Sequence, residues 1–417
     1  MKKSEENDNT KWKTYDLPDV VFFQEGPGVR KWQFCDKGVK LLNGSNINVK
    51  KINLSNTSIY ISEEEAYGKY SHFLIDAGDL VIASSGIVVD NFHNKIAFIE
   101  NEHLPLCMNT STIRFKALDS QILTLKYLRF FLGTNAFKSQ LQRLITGSAQ
   151  LNFGPSHLRQ IKIPLPPLQD QIRIAHLLEK VEGLIARRKE DMAQLDALLK
   201  SVFLDMFGDP VRNEKGWEKK KCIEICEILS GFAFKSDDYT EDQDAERLCS
   251  GLIVMPGYID WSKCIYWKSS INADLSKYRL VRSDIVLAMD RPWISSGLKI
   301  SLISDNGNGS FLVQRTARIR AFSANQLFVY YNLNSERFKS HCKPTETTIP
   351  HISIKEIESF PIIMPSLPLQ NKFAAIVEKV EILKAQYQQS LTDLESLYGA
   401  LSQKAFAGDL DLERVKV

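Results

Sequence analysis

The stretch Leu178-Glu-Lys-Val-Glu-Gly-Leu-Ile-Ala-Arg-Arg-Lys-Glu-Asp-Met-Ala-Gln-Leu-Asp-Ala-Leu-Leu-Lys-Ser-Val-Phe-Leu-Asp-Met206 decides the architecture. Its apolar residues recur in alternating steps of three and four, at Leu178, Val181, Ile185, Met192, Leu195, Leu199, Val202 and Met206, and only Arg188 interrupts them. A 3.5-residue period held over about four heptads specifies a coiled-coil stripe rather than a general core face. The pattern returns at Val377, Val380, Tyr387, Leu391, Leu394, Tyr398, Leu401 and Ala405, with Lys384 as its interruption. Two helices with one apolar seam each can bury those seams against each other. The alternative is that each helix packs on its own domain; the sustained heptad in both copies favours the pair. Arg188 and Lys384 can then set register, as single polar seam residues do. Gly208 and Gly408 end the helices.

Outward from this stretch, the whole chain is written twice. Trp12 returns as Trp217, Gly26 as Gly231, Arg30 as Lys235, and Asp79-Leu-Val-Ile-Ala as Asp284-Ile-Val-Leu-Ala, all at an offset of 205 residues. The offset then drifts: Phe137-Lys-Ser returns as Phe338-Lys-Ser, Pro167-Leu-Gln as Pro368-Leu-Gln, and Glu179-Lys-Val-Glu as Glu378-Lys-Val-Glu. Such drift means small insertions and deletions in surface loops. The duplication predicts a pseudo-twofold molecule with an antiparallel helix pair and two similar globular heads.

Each copy reads as a mixed α/β block, a proline-rich hinge and a long helix. The boundaries fall at a loose polar tail (1–11), a first head (12–157), a hinge and helix (158–213), a second head (214–355) and a second hinge and helix (356–417). Asp79–Ala83 and Asp284–Ala288 are buried strands, and Leu125 to Leu144 is helical. The hinges, Ile163-Pro-Leu-Pro-Pro-Leu-Gln and Met364-Pro-Ser-Leu-Pro-Leu-Gln, are extended because proline fixes φ and removes donors. A helix of about 30 residues, at about 1.5 Å per residue, spaces the heads by about 45 Å. One turn of B-DNA is about 34 Å, so DNA-reading heads so placed would contact segments about one turn apart.

The 417 residues are 44% hydrophobic with net charge +3, so any nucleic-acid surface must be local rather than global. The tail lacks the apolar core of a signal peptide, and no run approaches a membrane span, so no membrane association is expected. Seven cysteines, an odd and scattered set, point to a reducing cytoplasm rather than a disulfide framework. Cys222 and Cys226 lack companion ligands nearby and read as core thiols rather than a metal site.

The hinge Pro164-Leu-Pro-Pro-Leu-Gln-Asp-Gln, the Glu-Lys-Val after it, the Phe207-Gly-Asp closing the first copy and Gly231-Phe-Ala-Phe-Lys-Ser opening the second head carry a family likeness. The chain resembles the specificity subunit of type I restriction-modification systems, over essentially its whole length beyond the tail. The resemblance implies that each head is a target recognition domain for half of a split site on double-stranded DNA. It implies two methyltransferase (modification) subunits on the helices, carrying S-adenosylmethionine, and restriction subunits that use ATP and magnesium. No cofactor is expected in this chain itself. The second hinge departs from the pattern, with Ser366-Leu where the first has Pro-Pro and two residues missing before Glu378.

The chain's own residues point the same way. There is no [DNS]-P-P-[FYW] tetrapeptide to hold a flipped base, and no G-x-x-x-x-G-K-[ST] phosphate cradle. Asp284, Asp290 and Lys299 resemble a nuclease-like acidic cluster, a pattern commoner by chance. The chain reads as a non-catalytic reader. The other classes are a scaffold whose heads bind proteins, and an enzyme with an unrecognised site.

DNA-contact candidates lie first on a strand shared by both heads. Gln314, Thr316, Arg318 and Arg320 alternate with Val313, Arg315, Ala317 and Ile319, and Thr110, Thr112 and Arg114 match them in the first copy. Arginine can pair with guanine, and asparagine or glutamine with adenine; a solvated strand face explains the alternation equally. Loop candidates are Arg30, Lys31 and Gln33; Ser148, Gln150 and Asn152; Lys235; Arg291; and Thr345 and Thr347. Lys126, Arg129, Lys138 and Arg143 read as a solvated helix face, with phosphate contact as the alternative.

Overall fold

The computed structural model describes residues 11–55, 57–145, 150–268, 274–342 and 350–415. The tail expected at 1–11 lies outside them except for Lys11. The chain forms two compact units, Met1–Lys189 with Gln389–Val417, and Glu190–Gln388. The domain line drawn from sequence had kept each helix whole; here both long helices are divided between the units. Each head is packed on the first half of the helix that follows it and the second half of the other.

In the first unit a four-stranded antiparallel sheet runs in the order Val21–Glu25, Thr112–Ala117, Leu80–Ala83, Ile96–Phe98. In the second, Cys226–Ser230, Thr316–Ala321, Ile285–Ala288 and Ile300–Leu302 repeat that order. A further sheet covers one face of each. Leu106–Met108 lies parallel to Val39–Leu42 in the first unit, and Phe311–Leu312 parallel to Glu246–Cys249 in the second. The other face takes the head's helices, Leu125–Leu132 and Asn135–Leu144, or Gln326–Leu333 and Glu336–Cys342. The single helix expected over Leu125 to Leu144 is thus two. Gly133 closes the first, and the Thr134 hydroxyl accepts the Phe137 N–H at 3.1 Å to start the second.

The long helices run over Leu168–Phe207 and Leu367–Ala407, about ten residues earlier than the heptads begin. Both hinges are extended strands before them, Lys162–Pro164 and Pro361–Ile363, and Gly208 and Gly408 end them at φ 75° and 80°. The helix pair is antiparallel in each unit. The Tyr398 hydroxyl donates to Glu182 at 3.0 Å and Lys189 meets Glu395 at 2.9 Å in the first. In the second, Lys384 meets Asp196 at 2.9 Å and the rings of Phe203 and Phe373 lie 5.5 Å apart. All the named seam residues from Leu178 to Val202 and Val377 to Leu401 are buried or half-buried, the burial a shared seam requires.

One pairing of the two copies changes in three dimensions. Gln171 and Gln370 are both buried at the start of their helices. Each donates to a hinge carbonyl, Pro166 at 3.0 Å or Pro365 at 2.8 Å, and accepts the N–H of Thr124 or Asn325 at 2.9 Å. The equivalent of Gln370 is therefore Gln171, not Gln169, and the recurrence of Pro-Leu-Gln is a coincidence of composition. No residues are missing before Glu378. The offset of 199 already holds at the hinge strands, where Leu17 bonds Ile161 and Cys222 bonds Phe360.

Candidate nucleic-acid interface

The shared strand does not present a reading face. Thr112–Ala117 and Thr316–Ala321 are inner strands covered on both sides, so alternation cannot expose either set. Arg318 is 3% exposed, and its two Nη groups donate to the Lys277 carbonyl at 2.7 Å and to Glu227 at 2.6 Å. Arg114, 8% exposed, donates to the carbonyls of Leu74 (2.6 Å) and His72 (2.7 Å) and to Gln24 (2.7 Å). Arg320 makes two bonds to buried Asp284, at 2.7 and 2.8 Å, and that hydrogen bonding holds its guanidinium above its ordinary pKa. Thr112 and Thr316 are buried, their hydroxyls turned to the carbonyls of Asn109 and Val313. Gln33 is buried too, donating to Glu65 at 2.7 Å and to Tyr70 at 3.0 Å. These six side chains hold the heads together.

The bonds that consume them also build a projecting tip. Asn109-Thr110-Ser111-Thr112 and Val313-Gln314-Arg315-Thr316 each close a turn, with the last N–H donating to the first carbonyl at 3.0 and 3.2 Å. Thr110, Gln314 and Arg315 are exposed at the crest. The tip is tied to the end of the neighbouring strand, where Ser84 N–H donates to the Ser111 carbonyl and Met289 N–H to the Arg315 carbonyl, both at 2.9 Å. Those strand ends in turn receive the segment before the hinge, Phe153 N–H on Ser84 at 3.0 Å and Ile352 N–H on Met289 at 2.8 Å. From the other side come the loops after the first sheet strand. Gly26 N–H bonds the Thr112 carbonyl at 3.1 Å and Gly231 N–H the Thr316 carbonyl at 3.0 Å. A Cβ on Gly26 would sit 2.3 Å from the Asn109 oxygen, and one on Gly231 2.1 Å from the Val313 oxygen, so only glycine fits.

A lysine braces the layers in each head: Lys95 Nζ donates to the Ile47 carbonyl at 2.8 Å in the first, and beneath the second tip Lys299 Nζ donates to the Gly251 carbonyl. Burial pushes the Lys299 ammonium below its ordinary pKa. Lys299 and Asp284 are thus both spent, and Asp290 pairs with His351 at 2.8 Å and Arg315 at 3.6 Å. The acidic cluster imagined from sequence is not a nuclease centre.

On this common brace the two heads carry different side chains. The first presents Thr110, Ser85, Gly86 and Asn152, whose Oδ1 accepts the Gly86 N–H at 2.8 Å. The second presents Gln314, Arg315, Asp290, Arg291 and His351 at the corresponding places. The adjoining loops bring exposed Arg30, Lys31 and Trp32, the last 80% exposed, in one head and exposed Lys235 in the other. Gly28 lies 3.6 Å from Thr110 by its would-be Cβ, which sets the Arg30 loop beside the first tip. Ser148, Thr345 and Thr347 fall outside the described residues; of Gln150 only the backbone is described, paired with Val88. Sequence reasoning missed Arg315, which the alternation set on the face of Val313, Ala317 and Ile319, and His351. The signal for the second was the 199 offset, which pairs it with Asn152.

Among the described residues no group of histidine, cysteine and carboxylate side chains could hold a metal, and Cys222 and Cys226 are buried core thiols. No helix among them is long and apolar enough to cross a membrane.

The model of the type I restriction modification DNA specificity domain matches residues 9–196 and again 214–393. The MjaVIII specificity subunit of Methanocaldococcus jannaschii is 28% identical over 191 residues, 46% of this chain and 44% of that protein. The EcoAI specificity subunit of Escherichia coli is 29% identical over 205 residues, 48% of this chain and 34% of that protein. The match therefore spans less than half the length of either relative. A putative MjaX specificity subunit aligns over 91% of this chain and 89% of its own length at 23% identity. Among solved structures, a chain from work on assembly and conformational transition of the type I R-M system superposes with TM-score 0.57 at 18% identity, covering 96% of this chain and 98% of that one. The type I S subunit from M. genitalium gives 0.54 at 17%, covering 96% and 97%. At these identities the likeness is one of fold.

Proposed function

Since the chain belongs to the type I restriction modification DNA specificity family, we propose that it is the DNA-reading subunit of a type I restriction-modification complex. Each head takes one half of a split, asymmetric site on double-stranded DNA, and the helix pair docks two methyltransferase subunits. S-adenosylmethionine belongs to those partners, and ATP and magnesium to the restriction subunits. The chain itself performs no chemistry. What carries this reading is the brace repeated bond for bond under unlike tips: one architecture aimed at two different sequences. Nothing in the site favours the scaffold alternative.

The test is methylome sequencing of cells expressing the methyltransferase partner with and without this chain. Chain-dependent methyladenine at one bipartite motif supports the proposal. Absence of any chain-dependent motif, with partner expression confirmed, overturns it.

A further inference from the structure

We propose that Arg315 is the guanine-reading residue of the second head and that Asp290 is its positioning residue; this rests on the specificity reading above. Arg315 sits at the crest of the second tip with φ 64°, and Arg291, on the adjoining strand end, has φ 45°. Left-handed backbone is strained for a non-glycine residue and persists where surrounding structure enforces it, typically at functional sites. Here the enforcement is visible. The Arg315 carbonyl is held by Met289 at 2.9 Å, and Arg291 N–H donates to the Pro350 carbonyl at 2.9 Å. At the position matching Arg291 the first head has Gly86, with φ 68°, the residue that adopts this conformation without cost. The second head keeps the conformation and puts arginine there.

The guanidinium is exposed and has one carboxylate beside it. Its side chain is 63% exposed, yet Nε lies 3.6 Å from Asp290 Oδ2, while Asp290 Oδ1 is held by His351 Nδ1 at 2.8 Å. A carboxylate on the Nε side leaves the edge formed by Nη1 and Nη2 uncommitted to Asp290. That edge carries paired donors at the spacing of guanine O6 and N7, the commonest specific contact in the major groove. Arg291, exposed beside it, pairs with no carboxylate among the described residues and suits a neighbouring phosphate. The first head has Ser111, Ser85 and Asn152 in place of Arg315, Asp290 and His351, so the cationic reader is a property of one half-site only.

The experiment maps methylation in cells carrying the full chain and its methyltransferase partner, for the wild type, Arg315→Ala, Arg315→Gly and Asp290→Asn. Arg315→Gly suits φ 64° and removes the side chain without backbone cost, so it separates loss of contact from loss of folding. The expected result is that one G·C position in one half of the motif becomes degenerate, with discrimination falling about tenfold or more, while the other half stays intact. Asp290→Asn relaxes the same position by less. A motif unchanged in both Arg315 variants overturns the assignment, as does a uniform fall in methylation with every position still specified, which makes Arg315 a phosphate contact. A wild-type chain directing no motif at all is a different failure, that of the specificity reading itself.

Discussion

Arg114 and Arg318 hold matching places in the two heads, and their bonds predict what their removal does. Each guanidinium ties strands to a loop carbonyl, so Arg318→Ala strands the Lys277 carbonyl and leaves a polar gap at a buried position. Loss of such bonds costs about 1–3 kcal/mol. Urea unfolding of the purified chain should show that loss, while the methylated motif keeps its sequence; a relaxed motif at unchanged stability would return Arg318 to the reading surface. Glycines give a sharper contrast. At Gly231 an added methyl meets backbone, so Gly231→Ala must displace the second tip and should cost several kcal/mol along with that head's half of the motif. At Gly183 nothing lies within 4 Å and the residue sits inside a long helix, so Gly183→Ala should stabilise the chain by up to about 1 kcal/mol. The same unfolding experiment reads both, and equal effects would contradict the geometry.

Elements come next, and here the copies differ in how a head is fixed to its helices. In the first unit Glu182, on the first long helix, accepts from Lys50 at 2.5 Å, Arg129 at 2.6 Å and the Tyr398 hydroxyl at 3.0 Å. Arg129, expected on a solvated face, is thus a clamp, whereas Lys126 is exposed as expected and pairs with Glu179 at the surface at 3.0 Å. Burial raises the Glu182 carboxyl, but the charges of Arg129 and Lys50 outweigh it and hold its pKa below the ordinary value. A carboxylate with a depressed folded pKa stabilises fully above its unfolded pKa, about 4.3, and that stability is lost as pH falls through the lower folded value. Glu182→Gln should therefore be less stable at neutral pH and show a shallower acid loss than wild type. Parallel pH dependences would mean the clamp is silent. In the second unit the 199 offset puts Glu381 at this place, exposed to solvent and paired with Lys384 at 3.1 Å rather than buried against the head. The helices were legible in sequence because a 3.5-residue seam has few other meanings, and the duplication because glycine and tryptophan recur at fixed offsets. The reading strand was not, because alternation says which residues share a face but not whether another sheet covers it. Arg315 escaped for a related reason: a left-handed turn residue breaks the alternation that set it on the apolar face.

For the whole chain, the two junctions between helix end and head start are built alike. Trp217 Nε1 donates to the Phe207 carbonyl at 2.9 Å, closing the first helix onto the second head. Trp12 Nε1 donates to the Ala405 carbonyl at 2.9 Å, and Lys11 N–H to Ala407 at 2.9 Å, closing the second helix onto the first head. One junction is continuous chain, residues 208–216, and the other joins Trp12 to a helix end 393 residues away, yet in both the indole donates to a carbonyl in the helix's last turn. Covalent continuity at the first junction therefore adds little that the second lacks. The prediction is a circular permutant: residues 208–216 grafted between Ala407 and Trp12, with new termini opened between Phe207 and Trp217. Chain termini brought together by packing tolerate this exchange. The permutant should unfold at a similar urea midpoint and direct methylation to the same bipartite motif, its halves in the same order and spacing. If it folds but the motif changes, the continuous junction orients the heads in a way the tryptophan contacts do not. If it fails to fold while a permutant opened inside a head's surface loop succeeds, the two junctions are alike only in appearance.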